Sequence, residues 1–322
     1  MSVYTDMQDY ARKLARTEAG VVRDMTQRWS AMEARLLARI ERLLAEIATL
    51  GVVTDSEIFQ LYRYTELLQA VRDEIARYEV WGTEYVTRVQ TRAMELGFEA
   101  AVRSTYGTQY LVPRLNTKAV IHMAGSCADG GALFTLIKNR ALAGVAIDKL
   151  TQALVDGVAL GFNPSKTARL MAQGLAAGLS KALVIARTEQ IRVYREANRS
   201  GYIQQGITQY QRMCSLSDRT CPACLALDGR IYLTDQVMHN HPLCRCFMIP
   251  VIGKAEPAHA LEWFGSIGSE RQQQILGPGH YALWQQGISL EQMVKTTNDL
   301  TWGPTLGIKS IRDLEVEFGL TD

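Results

Sequence analysis

Five strong soft-metal ligands crowd into the stretch from Arg212 to Pro250, RMCSLSDRTCPACLALDGRIYLTDQVMHNHPLCRCFMIP. Cys221 and Cys224 make a Cys-x2-Cys pair, and His241, Cys244 and Cys246 make a His-x2-Cys-x-Cys return. A tetrahedral zinc ion needs thiolate and imidazole from two short clips, with a loop between them long enough to fold back. Residues 225–243 provide that loop. Within it, Asp228-Gly229 lies between Leu225-Ala226-Leu227 and Arg230-Ile231-Tyr232-Leu233, which predicts a hairpin closed by a type I′ turn. Pro222 and Pro242 stiffen the two clips, so less chain entropy is lost on capturing an ion. The rival reading of the six cysteines is a disulfide framework. Their clustering, with no secretory signal ahead of them, favours a metal such as zinc.

Spacing does not settle which four of the five bind. Cys221, Cys224, His241 and Cys244 give three thiolates and one imidazole; Cys246 in place of His241 gives an all-thiolate set. His239 has a weaker claim because it lies outside the tight return clip. Cys127 and Cys214 are expected to act as small buried hydrophobes.

Taken together, Ser217-Asp218-Arg219-Thr220-Cys221-Pro222-Ala223-Cys224, Leu227-Asp228-Gly229 and His241-Pro242-Leu243-Cys244-Arg245-Cys246 resemble the signature of the minor head, or head morphogenesis, proteins of tailed phages, the family that includes the F protein of phage Mu. Ile185-Ala186-Arg187-Thr188-Glu189 resembles the helix that this family places before its Cys cluster. The likeness is firm over roughly residues 160 to 250 and looser from Trp263 to Gly287. Cys214 departs from it, since such proteins commonly have tryptophan there.

The rest of the chain must position that cluster. With 322 residues and 47% hydrophobic content, it can fill two or three cores. A net charge of +2 leaves any nucleic-acid contact to a local patch. No signal peptide and no membrane-spanning run is expected. Trp29, Met32, Leu36, Leu37, Ile40, Leu43, Leu44, Ile47 and Leu50 recur at helical spacing, and Gly51 can end that helix. Thr54 or Asp55 can cap a second one carrying Ile58, Leu61, Leu68, Val71 and Ile75. A short break between two long amphipathic helices predicts an antiparallel hairpin, either a plain helical domain or an arm that docks on a partner. Helix continues from Trp81 to Thr105, with Tyr85, Val89, Met94 and Phe98 as core candidates. Gly107, Pro113 and Asn116 then mark a boundary.

The Ala- and Gly-rich region 119–160 permits close helix approach. Its stretch 124–131, AGSCADGG, lacks the Walker lysine and reads as a turn. Asn163 and Pro164 start a helix holding Leu170, Leu175 and Leu179, and a second begins near Ser180. On that one Arg192, Arg195 and Arg199 share a face that could contact phosphate, although Glu189 and Glu196 at three- and four-residue spacing favour ion pairing. Gly201 and Gly206 end the helical part, and residues 207–214 suit a strand. Phe247-Met248-Ile249-Pro250 reads as another. Trp263, Phe264, Ile275, Leu276, Tyr281, Leu283 and Trp284 suit small helices broken at Gly277-Pro278-Gly279, and Leu290, Met293 and Val294 suggest one more.

The expected architecture is α+β, mostly α: a helical arm over 1–112, a central helical domain over 113–204, a zinc-stabilised β module over 205–252 and a helical extension over 253–322. An ion held by four protein ligands has no open position, which points to a structural site and not to an enzyme. The resemblance implies a virion protein made in the host cytoplasm, present in several copies in the head interior or at the portal vertex. Its implied partners are the portal protein, the major capsid protein, or both, with packaged double-stranded DNA as a further contact. The alternatives are a zinc nuclease, suggested by His239-Asn240-His241, and a zinc-stabilised DNA-binding module.

Overall fold

A computed structural model describes residues 3–50, 60–106, 123–126, 131–133, 135, 143–159, 162, 164–217, 219–299 and 302–320. The expected stop and caps at Gly51, Thr54 and Asp55, together with Ile58 of the second stripe, lie outside the described residues. So do Gly107, Pro113, Asn116, Asn163, and Cys127 with the rest of the turn over 127–130.

The protein is mostly α-helical with two small sheets. Four long helices come first: α1 (Val3–Leu50), α2 (Tyr62–Tyr106), α3 (Ala143–Ala159) and α4 (Pro164–Gln204). The cysteine-rich stretch follows as β1 (Gln209–Met213), α5 (Pro222–Ala226), β2 (Ile231–Leu233) and β3 (Phe247–Pro250). The carboxy-terminal part consists of α6 (Ala260–Ser266), α7 (Ser269–Leu276), α8 (Pro278–Gln285), α9 (Leu290–Met293), β4 (Val294–Asp299), β5 (Gly303–Ile308) and α10 (Ile311–Glu317). Two compact units result, and they cut across the linear order. One gathers Met1–Arg16, Gln90–Val120 and Thr188–Asp322; the other gathers Thr17–Val89 and Ile121–Arg187.

In the second unit α1 and α2 run antiparallel, as their stripes predict. Trp29, Met32, Leu36, Ile40, Leu43, Leu44 and Ile47 are buried from α1, and Tyr64, Leu67, Val71, Ile75, Tyr78 and Val86 from α2. Leu50, at the end of the expected stripe, is exposed. Trp29 meets Tyr78 edge to face at 4.9 Å, the arrangement that ring quadrupoles prefer. Arg35 reaches Glu74 with two hydrogen bonds of 2.8 and 2.7 Å, which fixes the pairing of the helices. The Arg35 guanidinium, with Arg77 beside it, holds the Glu74 carboxyl down at about 2 against the effect of burial. Among the described residues no helix is long and apolar enough to cross a membrane.

In the first unit α2 and α4 approach so closely that glycine is required. A β-carbon on Gly97 would run into the backbone carbonyl of Tyr194, and one on Gly201 would lie 2.5 Å from the Ala101 methyl. Gly201 therefore serves packing and does not end the helix. α4 continues to Gln204, and Gly206, at φ +73°, turns the chain out of it. The second helix expected near Ser180 is likewise part of the single helix α4, because 165–204 holds no proline to break it.

The three-stranded sheet has the order β2-β1-β3, all antiparallel, with Gln211 opposite Ile231 on one side and Ile249 on the other. The hairpin expected around Asp228-Gly229 takes another form. Leu225-Ala226 closes the short helix α5, and β2 pairs with β1. Pro222 just inside a helix start outranks the Asp-Gly signal, and only Gly229 of the pair has positive φ. Val294 opens the β4–β5 hairpin where a helix was expected to continue.

The carboxy-terminal helices and the cysteine-rich stretch share one core. Cys214, Cys224, Leu225, Cys244 and Cys246 are buried with Phe264, Leu276, Leu283, Leu290, Met293 and Leu314. Replacing Gly97 with alanine should cost about 2–3 kcal/mol, the scale of overpacking against atoms that cannot move aside. Thermal melting followed by circular dichroism checks this, and a G97A chain that melts with the wild type would contradict so close a contact between α2 and α4.

Candidate metal centre

The first clip is a helix start. Cys221 caps α5, its sulfur accepting from the Cys224 amide at 3.4 Å, and Pro222 occupies the first turn. Before it, Ser217 and Thr220 close a turn on each other: the Thr220 amide donates to the Ser217 carbonyl and the Ser217 amide to the Thr220 hydroxyl, both at 2.9 Å. This geometry aims both cysteines to one side.

The return clip is a tight turn in which the Cys244 amide donates to the His241 carbonyl at 3.1 Å. Leu243 sits there at φ +62°, a conformation that costs a branched residue free energy and persists only where the surroundings impose it. Helix α4 imposes it. The Leu243 amide donates to the Thr188 hydroxyl at 3.1 Å. Arg195, 8% exposed, donates from Nε to the Cys246 carbonyl at 2.9 Å and from Nη2 to the Cys244 and Cys246 carbonyls at 2.7 and 2.8 Å. Two turns further on, the Tyr202 hydroxyl donates to the Met248 carbonyl at 3.2 Å.

The clips bring the five ligands together. Cys221 Sγ lies 3.1 Å and Cys224 Sγ 3.3 Å from His241 Nε2, and Cys224 Sγ lies 3.7 Å from Cys244 Sγ. Two triads result, Cys221-Cys224-His241 and Cys224-Cys244-Cys246, with Cys224 common to both. His239, the weaker candidate, has an exposed side chain. Cys214 is buried beside Cys246.

The donor set suits a soft divalent ion. His241 turns Nδ1 to the Pro242 carbonyl at 2.8 Å. That contact fixes the tautomer with its proton on Nδ1 and leaves the Nε2 lone pair facing the sulfurs. Hydrogen bonding from Cys224 and the nearby His241 imidazole pull the Cys221 thiol down to about 5 in spite of its burial. For His241 burial works downward, yet the Cys221 and Cys244 sulfurs hold it up at about 10. Cys221 and Cys244 are thus held down beside a cation, whereas the neighbouring sulfurs and burial push Cys224 and Cys246 up; a metal ion would take the place of the imidazole proton and of the protons on its thiol ligands.

A residue that spacing alone did not single out lies at the centre. Arg212, on the middle strand β1, is completely buried, and its Nη2 lies 3.3 Å from Cys224 Sγ, 3.6 Å from Cys244 Sγ and 3.3 Å from Cys246 Sγ. Its Nη1 donates to the His239 carbonyl at 2.8 Å. The signal was an arginine at a core position of a strand leading into the cysteines. Asp228 was likewise read only as a turn residue. Its carboxylate accepts from the amides of Cys214 at 2.6 Å and of His259 and Ala260 at 2.8 Å each, tying β1 and α6 together.

Each of the three arginines of α4 that could contact phosphate has a partner within the chain. Arg192 pairs with Glu189 at 2.7 Å, and Arg199 pairs with Glu196 at 2.5 Å while donating to the Thr234 carbonyl at 2.6 Å. Arg195 turns inward to the return clip, because two buried carbonyls there need a donor.

Residues 148–249 match the family model described as Phage Mu protein F like protein. That segment is Mu F-like. No curated protein and no solved structure matches the chain. The Mu F-like segment spans α4, both clips and nearly all of β3, so it contains the gripping residues Thr188 and Arg195 as well as the ligands they hold. Replacing Arg195 with methionine should cost about 3 kcal/mol, because it leaves buried carbonyls without a donor, and Thr188→Val should cost about 1 kcal/mol. Limited proteolysis within 240–250 and thermal melting test both. Equal protection of the R195M and wild-type clips would refute this assignment.

Proposed function

We propose that this protein is a head morphogenesis protein of a tailed phage: a non-enzymatic virion component, present in several copies at the portal vertex or in the head interior, with one structural zinc ion held by four of Cys221, Cys224, His241, Cys244 and Cys246. The observation that carries the reading is the coincidence of the Mu F-like match with a convergent, mostly buried Cys/His cluster. Its docking partners would be the portal protein, the major capsid protein, or both.

When bound, zinc supplies a cross-link between backbone segments, with its coordination filled by protein. The residues around it serve that end. Pro222 and the α5 start aim the first pair, Thr188 and Arg195 hold the return, and the Pro242 carbonyl orients the imidazole. No second reading gains a specific observation. In the nuclease alternative a helix would follow the last cysteine, whereas the strand β3 follows Cys246. In the DNA-binding alternative a free basic face would be needed, and Arg192, Arg195 and Arg199 all have partners within the chain.

Elemental analysis of the purified full chain should find one zinc per chain. Cys221→Ser or Cys224→Ser should abolish it and loosen the region 205–255 in hydrogen exchange. A metal-free wild type, or Ser variants that melt unchanged, would end the zinc part of the proposal. Independently, mass spectrometry of purified heads should detect the chain at a few copies per portal ring. Its consistent absence from heads and their assembly intermediates would remove the morphogenesis part and leave the metal site untouched.

A further inference from the structure

We infer that Arg212 is the internal counter-cation of the metal centre, and that Cys221, Cys224, His241 and Cys244 are the ligands, with Cys246 left outside the coordination sphere. The inference rests on the zinc reading above and deepens it.

A guanidinium with no exposure carries a large desolvation penalty and is normally buried against a carboxylate. Here the groups facing it are Cys224, Cys244 and Cys246, two backbone or amide oxygens at His239 and Asn240, and the phenol-bearing strand residue Tyr232. Only the sulfurs can carry the opposing charge, so the site is arranged for thiolates whether or not the cation is alone. Zinc with three thiolates and a neutral imidazole is left with one surplus negative charge, and the guanidinium cancels it. A fourth thiolate, coordinated or not, would leave a surplus that one arginine does not cancel, so the balance holds with Cys246 as a neutral thiol outside the coordination sphere.

The placement of the two late cysteines decides between them. Cys244 faces both Cys224, at 3.7 Å, and His241, so it links the two triads. Cys246 lies 3.3 Å from Arg212 Nη2, as Cys224 does, and beside the thiol of Cys214, and the triad it joins does not contain His241. His241 already stands within 3.3 Å of two sulfurs with its outer nitrogen satisfied. Replacing it by Cys246 would undo those contacts. Arg212 is thus a positioning residue. Its N–H groups also withdraw charge from the sulfurs they touch, which lowers the thiolate energies and tunes how tightly the metal is held.

Cobalt(II) exchanged into the full-length protein tests this, since the intensity of the thiolate-to-cobalt charge-transfer bands counts the coordinated sulfurs. Wild type and Cys246→Ser should both bind one cobalt with three-thiolate intensity, whereas Cys244→Ser should lose one thiolate's share. Arg212→Met should move those bands to lower energy and weaken cobalt binding about 10–100-fold, the usual scale for an outer-shell partner. Arg212→Lys, which keeps the charge, should recover part of both. A Cys246→Ser protein with reduced intensity, or a wild type with four-thiolate intensity, overturns the ligand assignment. Arg212 variants with wild-type bands and affinity overturn the counter-cation role. If Arg212→Met does not fold, Cys246→Ser and Arg212→Lys still decide. Failure of the wild type to take up either zinc or cobalt overturns the zinc reading as well, an outcome distinct from all of these.

Discussion

A positive charge buried on the central strand of a small sheet is the constraint that organises the carboxy-terminal half of this protein. Arg212 has no exposure and, among the described residues, no carboxylate in hydrogen-bond contact, so its charge is left to the sulfurs that surround it. The sulfurs, for their part, are sealed under the same apolar core that holds Phe264, Leu283 and Met293. Strand, clips and carboxy-terminal helices therefore depend on one another. Loss of the cluster would strand a charge, and loss of the charge would leave several buried thiolates in mutual repulsion.

That dependence extends upstream into α4. A β module of three short strands cannot build a core of its own, because strands of three to five residues bury too little. The return clip is accordingly not free-standing. Its left-handed Leu243 and the carbonyls of Cys244 and Cys246 are held by Thr188 and Arg195, which lie two turns apart on a single helix. The first turn of α1 adds a further contact, Tyr4 packing on Phe247 and His259. The cluster thus ties a long helix to a compact end piece, and the Mu F-like match includes that helix for a physical reason.

Much of this was legible in the sequence. The heptad-like stripes of α1 and α2 announced antiparallel packing, since helical period and burial go together. The two clips announced their own convergence, since ligand chemistry constrains spacing. What failed to show was information held in tertiary contact. Gly201 reads locally as a helix stop and acts as a gap for Ala101. Arg195 reads as one of three surface cations and acts as an internal donor. Asp228-Gly229 reads as a hairpin turn, yet the carboxylate is spent on the amides of His259 and Ala260, which lie far along the chain. Arg212 and Asp228 share this property: each is polar, locally unremarkable and defined by partners that no periodicity reveals.

The same contacts bear on why the centre is suited to holding and poorly suited to reacting. A catalytic ion needs a position that substrate can reach and a nearby group free to move protons. Here Cys224, Cys244 and Cys246 are each no more than 4% exposed, Cys221 and His241 are half-buried, and the outer nitrogen of His241 is held by a backbone carbonyl. The exposed imidazole of His239 belongs to a residue whose own carbonyl is held by Arg212, so it stands at the margin of the cluster and outside it. Rigidity is what such an arrangement offers. On the proposed reading, an ion held by these residues would act as a cross-link, because closing the long loop between the clips would raise the free energy of partly unfolded states.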